Sequence, residues 1–195
     1  FWGGADPDTL PDLEGIPGVV INDLNGDGNA DLASGLEVRW GGNTISVQPD
    51  VLLTSPCQFP AGGSETGVGD INHDGRGDLV LSEEYCDNNF WGLANLYLGS
   101  QWMTSDPTYT FWGGDPPAEI IGHRIAAGVG DVNGDGIDDF AMGGFNDTNQ
   151  GFRGRAVIIA GDSNLVVGLD DPYPILPEQF TVSIYPNPFN SQAAL

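Results

Sequence analysis

Short apolar runs, each bounded by polar residues and glycine, recur along this chain. Three of them, at residues 32–34, 79–81 and 140–142, each follow directly after an acidic loop that contains glycine. Apolar runs of this length between turn residues are typical of buried strands. No segment shows the 3.6-residue spacing of a long amphipathic helix. The 30 glycines and 14 prolines supply tight turns, so the pattern predicts an all-β protein built from short strands.

The acidic loops share one pattern, D-x-N-x-D-G-x-x-D, which occurs at residues 23–31, 70–78 and 131–139. Positions 1, 3, 5 and 9 of the pattern carry side-chain oxygens, and alternate residues of a tight loop converge on one point. The candidate metal ligands are therefore Asp23, Asn25, Asp27 and Asp31 in the first loop, Asp70, Asn72, Asp74 and Asp78 in the second, and Asp131, Asn133, Asp135 and Asp139 in the third.

The chemistry of these loops favours calcium over magnesium. Calcium takes six to eight oxygen ligands in flexible geometry, whereas magnesium keeps several waters. Acidic loops of this kind usually add the backbone carbonyl of position 7, which belongs here to Asn29, Arg76 and Ile137. An EF-hand is excluded because it needs Glu at position 12, which is occupied by Ser34, Leu81 and Met142. Clusters of Asp, Asn and Gly also form metal-free turns, but three copies in one strand context favour about three bound Ca²⁺ ions.

The sequence around the loops repeats as well. The first aspartates of the loops, Asp23, Asp70 and Asp131, are 47 and 61 residues apart, and a repeat length in this range indicates an array of similar units. We expect about four strands in each unit, with one strand on either side of the loop. The predicted units are residues 1–50, 51–110 and 111–168, followed by a separate tail at 169–195.

The strings "IGHRIAAGVGDVNGDGIDDFAMGG" and "GRAVIIAG" in the third unit resemble the FG-GAP repeats of integrin α-chain β-propellers and their bacterial relatives. The resemblance covers roughly residues 1 to 168. It implies a blade of four antiparallel strands per repeat, with calcium held between the first two strands on the ligand positions given above. Propellers typically close with four to eight blades, whereas this chain carries three. The expected fold is all-β, with three propeller-type blades.

Charge and composition narrow the range of partners. The 28 acidic and 5 basic residues give a formal net charge of −23, which excludes nucleic acid as a partner because phosphate binding requires clustered Lys and Arg. No apolar run approaches the length of a membrane span. The first residue is Phe1, which indicates either a removed signal peptide or a piece of a longer precursor. Cys57 and Cys86 suit one disulfide in an oxidising compartment, or else two buried thiols.

The tail after residue 168 differs from the repeats. Pro172, Pro174 and Pro177 predict a stiff, extended connector. Residues 180–184 then alternate apolar and polar as a strand does, and a Pro-Asn-Pro turn follows. The string "LPEQFTVSIYPNPFN" resembles the opening of the C-terminal sorting domain of cargo exported by bacterial type IX secretion. That resemblance implies an exported bacterial protein.

Several residues invite other functional interpretations. The Arg76-Gly77-Asp78 tripeptide matches an integrin-ligand motif, but Asp78 is a predicted calcium ligand. His73 and His123 lie in different repeats, so a catalytic triad has little support. The tryptophans suit sugar stacking or packing between blades, and the shared repeat position of the first and last favours packing; they are Trp2, Trp40, Trp91, Trp102 and Trp112.

These observations predict an extracellular, secreted, calcium-stabilised structural or adhesive protein that is not an enzyme. We expect self-association, with the tail donating a strand to a neighbouring subunit and producing a filament, a closed oligomer or a monomer whose tail folds back. Two alternatives stay open. The first is a carbohydrate-binding propeller module that recognises surface glycans, and the second is a non-catalytic fragment of a larger cell-surface enzyme.

Overall fold

The structure, a computed structural model, describes residues 16–57, 61–85, 92–112, 125–146 and 153–165. Within these ranges the chain forms eleven β-strands and no helix. The prediction of an all-β fold is confirmed. The tail at 169–195 lies outside the described residues, as do Trp2, Trp91, His123 and Cys86.

The strands form three antiparallel sheets, and within each sheet the strands follow one another in chain order. The first sheet contains β1 (Val19–Val20), β2 (Leu32–Ser34), β3 (Glu37–Arg39) and β4 (Val51–Leu52). The second contains β5 (Ala61–Gly69), β6 (Asp78–Tyr85), β7 (Leu93–Tyr97) and β8 (Tyr109–Trp112). The third contains, among the described residues, β9 (Ile125–Gly130), β10 (Asp139–Asn146) and β11 (Arg153–Ile159). Three meandering sheets of three or four strands agree with the predicted propeller-type blades.

The three acidic loops occupy the same place in each sheet. Each connects the first strand to the second, so that the loops lie between β1 and β2, between β5 and β6, and between β9 and β10. The short apolar runs that follow the loops form β2 and the first halves of β6 and β10, which confirms their prediction as strands. In the second sheet this run is buried on both faces, with Leu79 and Leu81 on one face and Val80 on the other.

The second sheet lies between the other two and supplies a side-chain layer to each. On one face Leu79, Leu81 and Tyr97 pack against the first sheet, in a cluster with Ile21, Leu24, Ala33, Val38 and Leu53. On the other face Val68, Val80 and Leu96 pack against the third sheet, in a cluster with Phe140, Met142, Val157 and Ile159. Full burial of one such side chain contributes about 1.5–3 kcal/mol. These two layers therefore hold the three sheets together.

Glycine lets the first strands of adjacent sheets approach closely. A Cβ at Gly67 would lie 2.0 Å from Asn22 Oδ1, and a Cβ at Gly128 would lie 3.0 Å from the backbone of Val68. The corresponding residue of the first sheet is Val20, whose side chain is 74% exposed. Among the residues that the structure describes, Val20 therefore has no equivalent of the close contact that Gly67 and Gly128 make with the preceding sheet.

Candidate calcium loops

The first carboxylate of each loop is held by backbone N–H groups of the same loop. Its two oxygens accept hydrogen bonds from the N–H groups of position 5, an aspartate, and position 6, the glycine of the motif. The donor–acceptor distances are 3.1 and 2.7 Å at Asp23, 3.0 and 2.8 Å at Asp70, and 3.1 and 2.8 Å at Asp131. The same side chain therefore winds each loop into a tight turn.

Positions 3 and 5 are linked in the same way in all three loops. The side-chain oxygen of the position 3 asparagine accepts the N–H of position 5, at 2.9, 3.3 and 2.9 Å in chain order. Its amide nitrogen donates to the position 5 carboxylate, at 3.3, 3.3 and 2.9 Å. That carboxylate also accepts the N–H of position 7, at 2.8, 2.9 and 2.9 Å. The repetition shows that one loop conformation is built three times.

Two positions of the loop require left-handed backbone. The position 6 glycines Gly28, Gly75 and Gly136 have φ values of 89°, 87° and 89°. Position 4 is glycine in the first and third loops, at φ 78° and 82°, but it is His73 in the second, at φ 59°. A side chain in this region is strained. Alignment of the three loops could have found this residue, since His73 stands where the other two loops have glycine.

The ninth-position carboxylates Asp31, Asp78 and Asp139 are fully buried. One oxygen of each accepts the N–H of position 2, at 2.7, 2.9 and 2.9 Å. The other accepts the N–H of a glycine beyond the third strand, and these bonds are Asp31 to Gly41 at 2.7 Å, Asp78 to Gly99 at 2.8 Å, and Asp139 to Gly161 at 2.9 Å. Each of these predicted ligands therefore fastens its loop to the third strand of its own sheet. Sequence reasoning missed the glycines, although the repeated "WGG", "LGS" and "AGD" endings carry the signal.

Burial and hydrogen bonding move the pKa values of the loop carboxyls in opposite directions. Loss of water contact raises the pKa of Asp31 and raises that of Asp78 to about 7, against the lowering effect of the backbone N–H groups. The Asn29 N–H lowers the pKa of Asp27, and the Gly136 N–H lowers that of Asp131. Asp27 and Asp131 thus favour the charged form, whereas the buried Asp31 and Asp78 are costly to charge without a cation.

The donor chemistry of the loops fits a hard cation. The inward groups of positions 1, 3 and 5 are carboxylate and amide oxygens, and neither sulfur nor imidazole takes part. Across the part of the chain that the structure describes, no three His, Cys, Asp or Glu side chains are gathered into a metal-binding group. Each loop combines the position 3 amide with the carboxylates of positions 1, 5 and 9, and the ninth carboxylate is buried on backbone N–H groups. In the second loop the Arg76 guanidinium lies 3.7 Å from the Asp74 carboxylate.

The other singled-out residues divide between surface and interior. Asp78 is fully buried, so the Arg76-Gly77-Asp78 tripeptide does not present its carboxylate. The indole of Trp102 is 82% exposed and that of Trp112 is 47% exposed, whereas Trp40 packs partly against the first core layer. Cys57 is buried and is not a free thiol.

Comparison with known proteins relates this chain to integrin α-subunits. It is 30% identical over 152 residues to integrin alpha-PS3 of Drosophila melanogaster, which covers 66% of this chain and 13% of that protein. It is 28% identical to integrin alpha-PS5 of the same species, over 64% of this chain and 14% of the relative. It is 26% identical to integrin alpha-6 of Gallus gallus, over 72% and 14%.

The chain thus spans about one seventh of the length of these curated relatives. No protein-family description matches it. The similarity supports an FG-GAP-like β-domain, in agreement with the three sheets. The described residues contain no helix that is both long and apolar enough to cross a membrane.

Proposed function

We propose that this protein is a calcium-stabilised structural or adhesive domain in which each acidic loop holds one Ca²⁺ ion. One observation carries the proposal, namely that the backbone N–H groups of positions 5, 6 and 7 donate to the same loop side chains in all three loops, which lie at the same place in three sheets. The ligands that we assign are the side chains of positions 1, 3, 5 and 9 and the carbonyl of position 7. The repeat units that carry them are residues 1–50, 51–110 and 111–168.

Calcium binding relieves the charge repulsion that the loops impose. Three ions offset six of the 23 net negative charges and separate carboxylates that otherwise repel one another. With a dissociation constant of ~10⁻⁴ M and about 1 mM calcium, each site contributes on the order of 1.4 kcal/mol, or roughly 4 kcal/mol for three independent sites. Calcium is therefore expected to matter for folding rather than for catalysis, and we propose no enzymatic activity.

Removal of calcium tests this assignment directly. We expect EDTA to lower the melting temperature of the native protein, excess calcium to restore it, and elemental analysis to find about three calcium ions per chain. The matched control is a triple variant, Asp27→Asn with Asp74→Asn and Asp135→Asn, whose melting temperature should no longer respond to EDTA. An unchanged melting temperature together with metal-free native protein would contradict the proposal.

We further propose that the protein is secreted, extracellular and of bacterial origin. The resemblance of residues 176–190 to a type IX sorting domain supports this location, as does the similarity to integrin α-subunits. The same conditions allow a Cys57–Cys86 disulfide, which would close a loop of about 30 residues and add roughly 3 kcal/mol. Intact-mass analysis after alkylation in denaturant should find no free thiol, and two alkylated cysteines would exclude the bridge.

Self-assembly through the tail is the adhesive or structural activity that we favour. The connector 169–179 spans roughly 34 Å at ~3.1 Å per residue, which allows strand 180–185 to reach a neighbouring subunit and form a filament by strand addition. The test compares the full chain with one that ends at Asp171, by light scattering and negative-stain microscopy in calcium. A strictly monomeric full chain, or assembly that survives loss of the tail, would contradict strand donation.

The exposed indoles support carbohydrate binding as a second candidate function. Trp102 and Trp112 offer flat aromatic surfaces to solvent, which is the feature that sugar stacking requires. If the protein is a glycan-binding module, Trp102→Ala should abolish a glycan-array signal while the melting temperature stays unchanged. Binding that persists in this variant and in Trp112→Ala would count against this function.

A further inference from the structure

Adjacent calcium loops contact each other through the same two loop positions. The Gly77 N–H, at position 8 of the second loop, donates to the carbonyl of Asp23, at position 1 of the first loop, over 2.8 Å. Between the second and third loops the contact again joins position 8 to position 1. Here, however, Asp138 uses its side chain, and its Oδ2 accepts the N–H of Asp70 at 3.0 Å.

The structure accommodates the Asp138 carboxylate closely. A Cβ at Gly69 would lie 2.2 Å from Asp138 Oδ2, so glycine at position 69 is what admits the carboxylate. The corresponding residues of the other loops, Ala30 and Gly77, have no polar side chain. Asp138 is thus a feature of one junction and not a conserved part of the repeated loop motif within this chain.

Asp138 stands between two proposed ligands of the third loop. The carbonyl of Ile137 precedes it and the carboxylate of Asp139 follows it, while its hydrogen-bond partner Asp70 is the first ligand of the second loop. A cation that fixes residues 137–139 therefore also fixes the acceptor that orients the Asp70 backbone. Since energetic coupling between two sites is reciprocal, a cation in the second loop must favour the third equally.

We propose that Asp138 couples calcium binding in the second and third loops, so that these two sites fill cooperatively through the Asp138–Asp70 hydrogen bond. The proposal rests on the calcium assignment above and adds the coupling between sites. It assigns Asp138 a positioning role, since its carboxylate acts through the Asp70 backbone and is not one of the proposed ligands.

Calcium titration of the full chain by calorimetry, after chelator treatment, tests the coupling. In the native protein we expect two of the three ions to bind in one concerted step. Asp138→Ala should abolish this concerted step, so that the two ions bind independently and the affinity for the second ion falls about fivefold or more. Asp138→Asn keeps an acceptor oxygen and should keep the concerted step. The control Asp106→Asn removes the same charge from an exposed residue outside the loops and should leave the titration unchanged.

A second measurement does not depend on how the variants fold. Amide resonances of Asp70 and Ile137 in the native protein, followed by NMR during the titration, should shift with one common midpoint. Separate midpoints would overturn the proposal, as would an Asp138→Ala titration identical to the native one, or loss of the concerted step in Asp138→Asn. If the native protein binds three ions independently, the coupling fails while the calcium assignment stands. If it binds none, both fail.

Discussion

At the scale of single residues, His73 is the position where the second loop departs from its two relatives. Its φ of 59° lies in the left-handed region, where the other loops have glycine. A residue with a Cβ loses about 1–2 kcal/mol of stability in the left-handed region. Replacement by glycine removes this strain but costs about 0.5–1 kcal/mol, because glycine loses more conformational entropy on folding. We expect His73→Gly to stabilise the protein by up to about 1 kcal/mol in urea unfolding at fixed calcium. His73→Ala, which keeps a Cβ, should give no such gain, and a less stable glycine variant would contradict the account.

The ninth and fifth positions of the third loop should respond differently to loss of charge. Asp139 is buried and accepts two backbone N–H groups, whereas Asp135 is exposed. In EDTA, Asp139→Asn should cost about 1–3 kcal/mol of unfolding free energy, because the amide NH₂ that replaces one carboxylate oxygen would face a backbone N–H donor. Asp135→Asn should cost under about 0.5 kcal/mol in EDTA and should weaken calcium binding instead. Equal losses in denaturant unfolding of the two variants would show that the ninth position has no separate structural role.

The sequence located the oxygen-bearing positions of the loops, but it did not show that the ninth-position carboxylate also binds a glycine beyond the third strand. Spacing identifies Asp31, Asp78 and Asp139 because the motif is local. Their partner glycines stand 10, 21 and 22 residues further along the chain, across a strand pair whose length differs between sheets. A contact at variable separation leaves no fixed spacing in the sequence, so the repeated "WGG", "LGS" and "AGD" endings mark the glycines, but only the fold shows that they bind the ninth carboxylate.

At the scale of strands and turns, the glycine after each third strand sets how closely strand and loop approach. A Cβ at Gly99 would lie 2.1 Å from the Gly77 carbonyl oxygen and 2.7 Å from that of Leu24. Both atoms belong to backbone, which cannot rotate away as a side chain can. We therefore expect Gly99→Ala to cost at least about 2 kcal/mol of unfolding free energy. Ser100→Ala, at the next residue, adds no atom and should cost under about 1 kcal/mol. Near-native stability of Gly99→Ala in thermal and urea unfolding would contradict this contact.

The strands after the loops were predictable because a strand that is covered on both faces has a continuous apolar sequence. The second sheet is covered on both faces, so residues 79–81 are continuously apolar and stand out in the sequence. The short β1 and β4 strands carry exposed Val20 and Leu52 and give a weaker signal. Gly67 and Gly128 could be counted as turn residues from the sequence, yet both lie inside strands. Their role is the close approach of a neighbouring sheet, which is a tertiary contact.

At the scale of the whole molecule, the three sheets form a series whose two ends differ. The residue at position 2 of each loop shows this most directly. Leu24 and Ile71 are fully buried beneath the following sheet, whereas Val132 is 53% exposed. Val68, on the strand before the second loop, is likewise buried, while its counterpart Val129 is 38% exposed. Position 2 of the loop is therefore part of the hydrophobic core in two units and part of the surface in the third.

This difference in burial predicts that one substitution will cost much more stability at Ile71 than at the equivalent Val132. Ile71→Ser removes a buried side chain from the layer between the second and third sheets and places a hydroxyl there, and should cost about 2–5 kcal/mol of unfolding free energy. Val132→Ser changes an exposed residue in the same loop position and should cost under about 0.5 kcal/mol. Denaturant unfolding of both variants at saturating calcium makes the comparison, with calcium binding checked in each, since position 2 contributes no ligand. If Val132→Ser proves as costly as Ile71→Ser, then Val132 is covered in the folded protein, and the series of sheets does not end at an open face in the third unit.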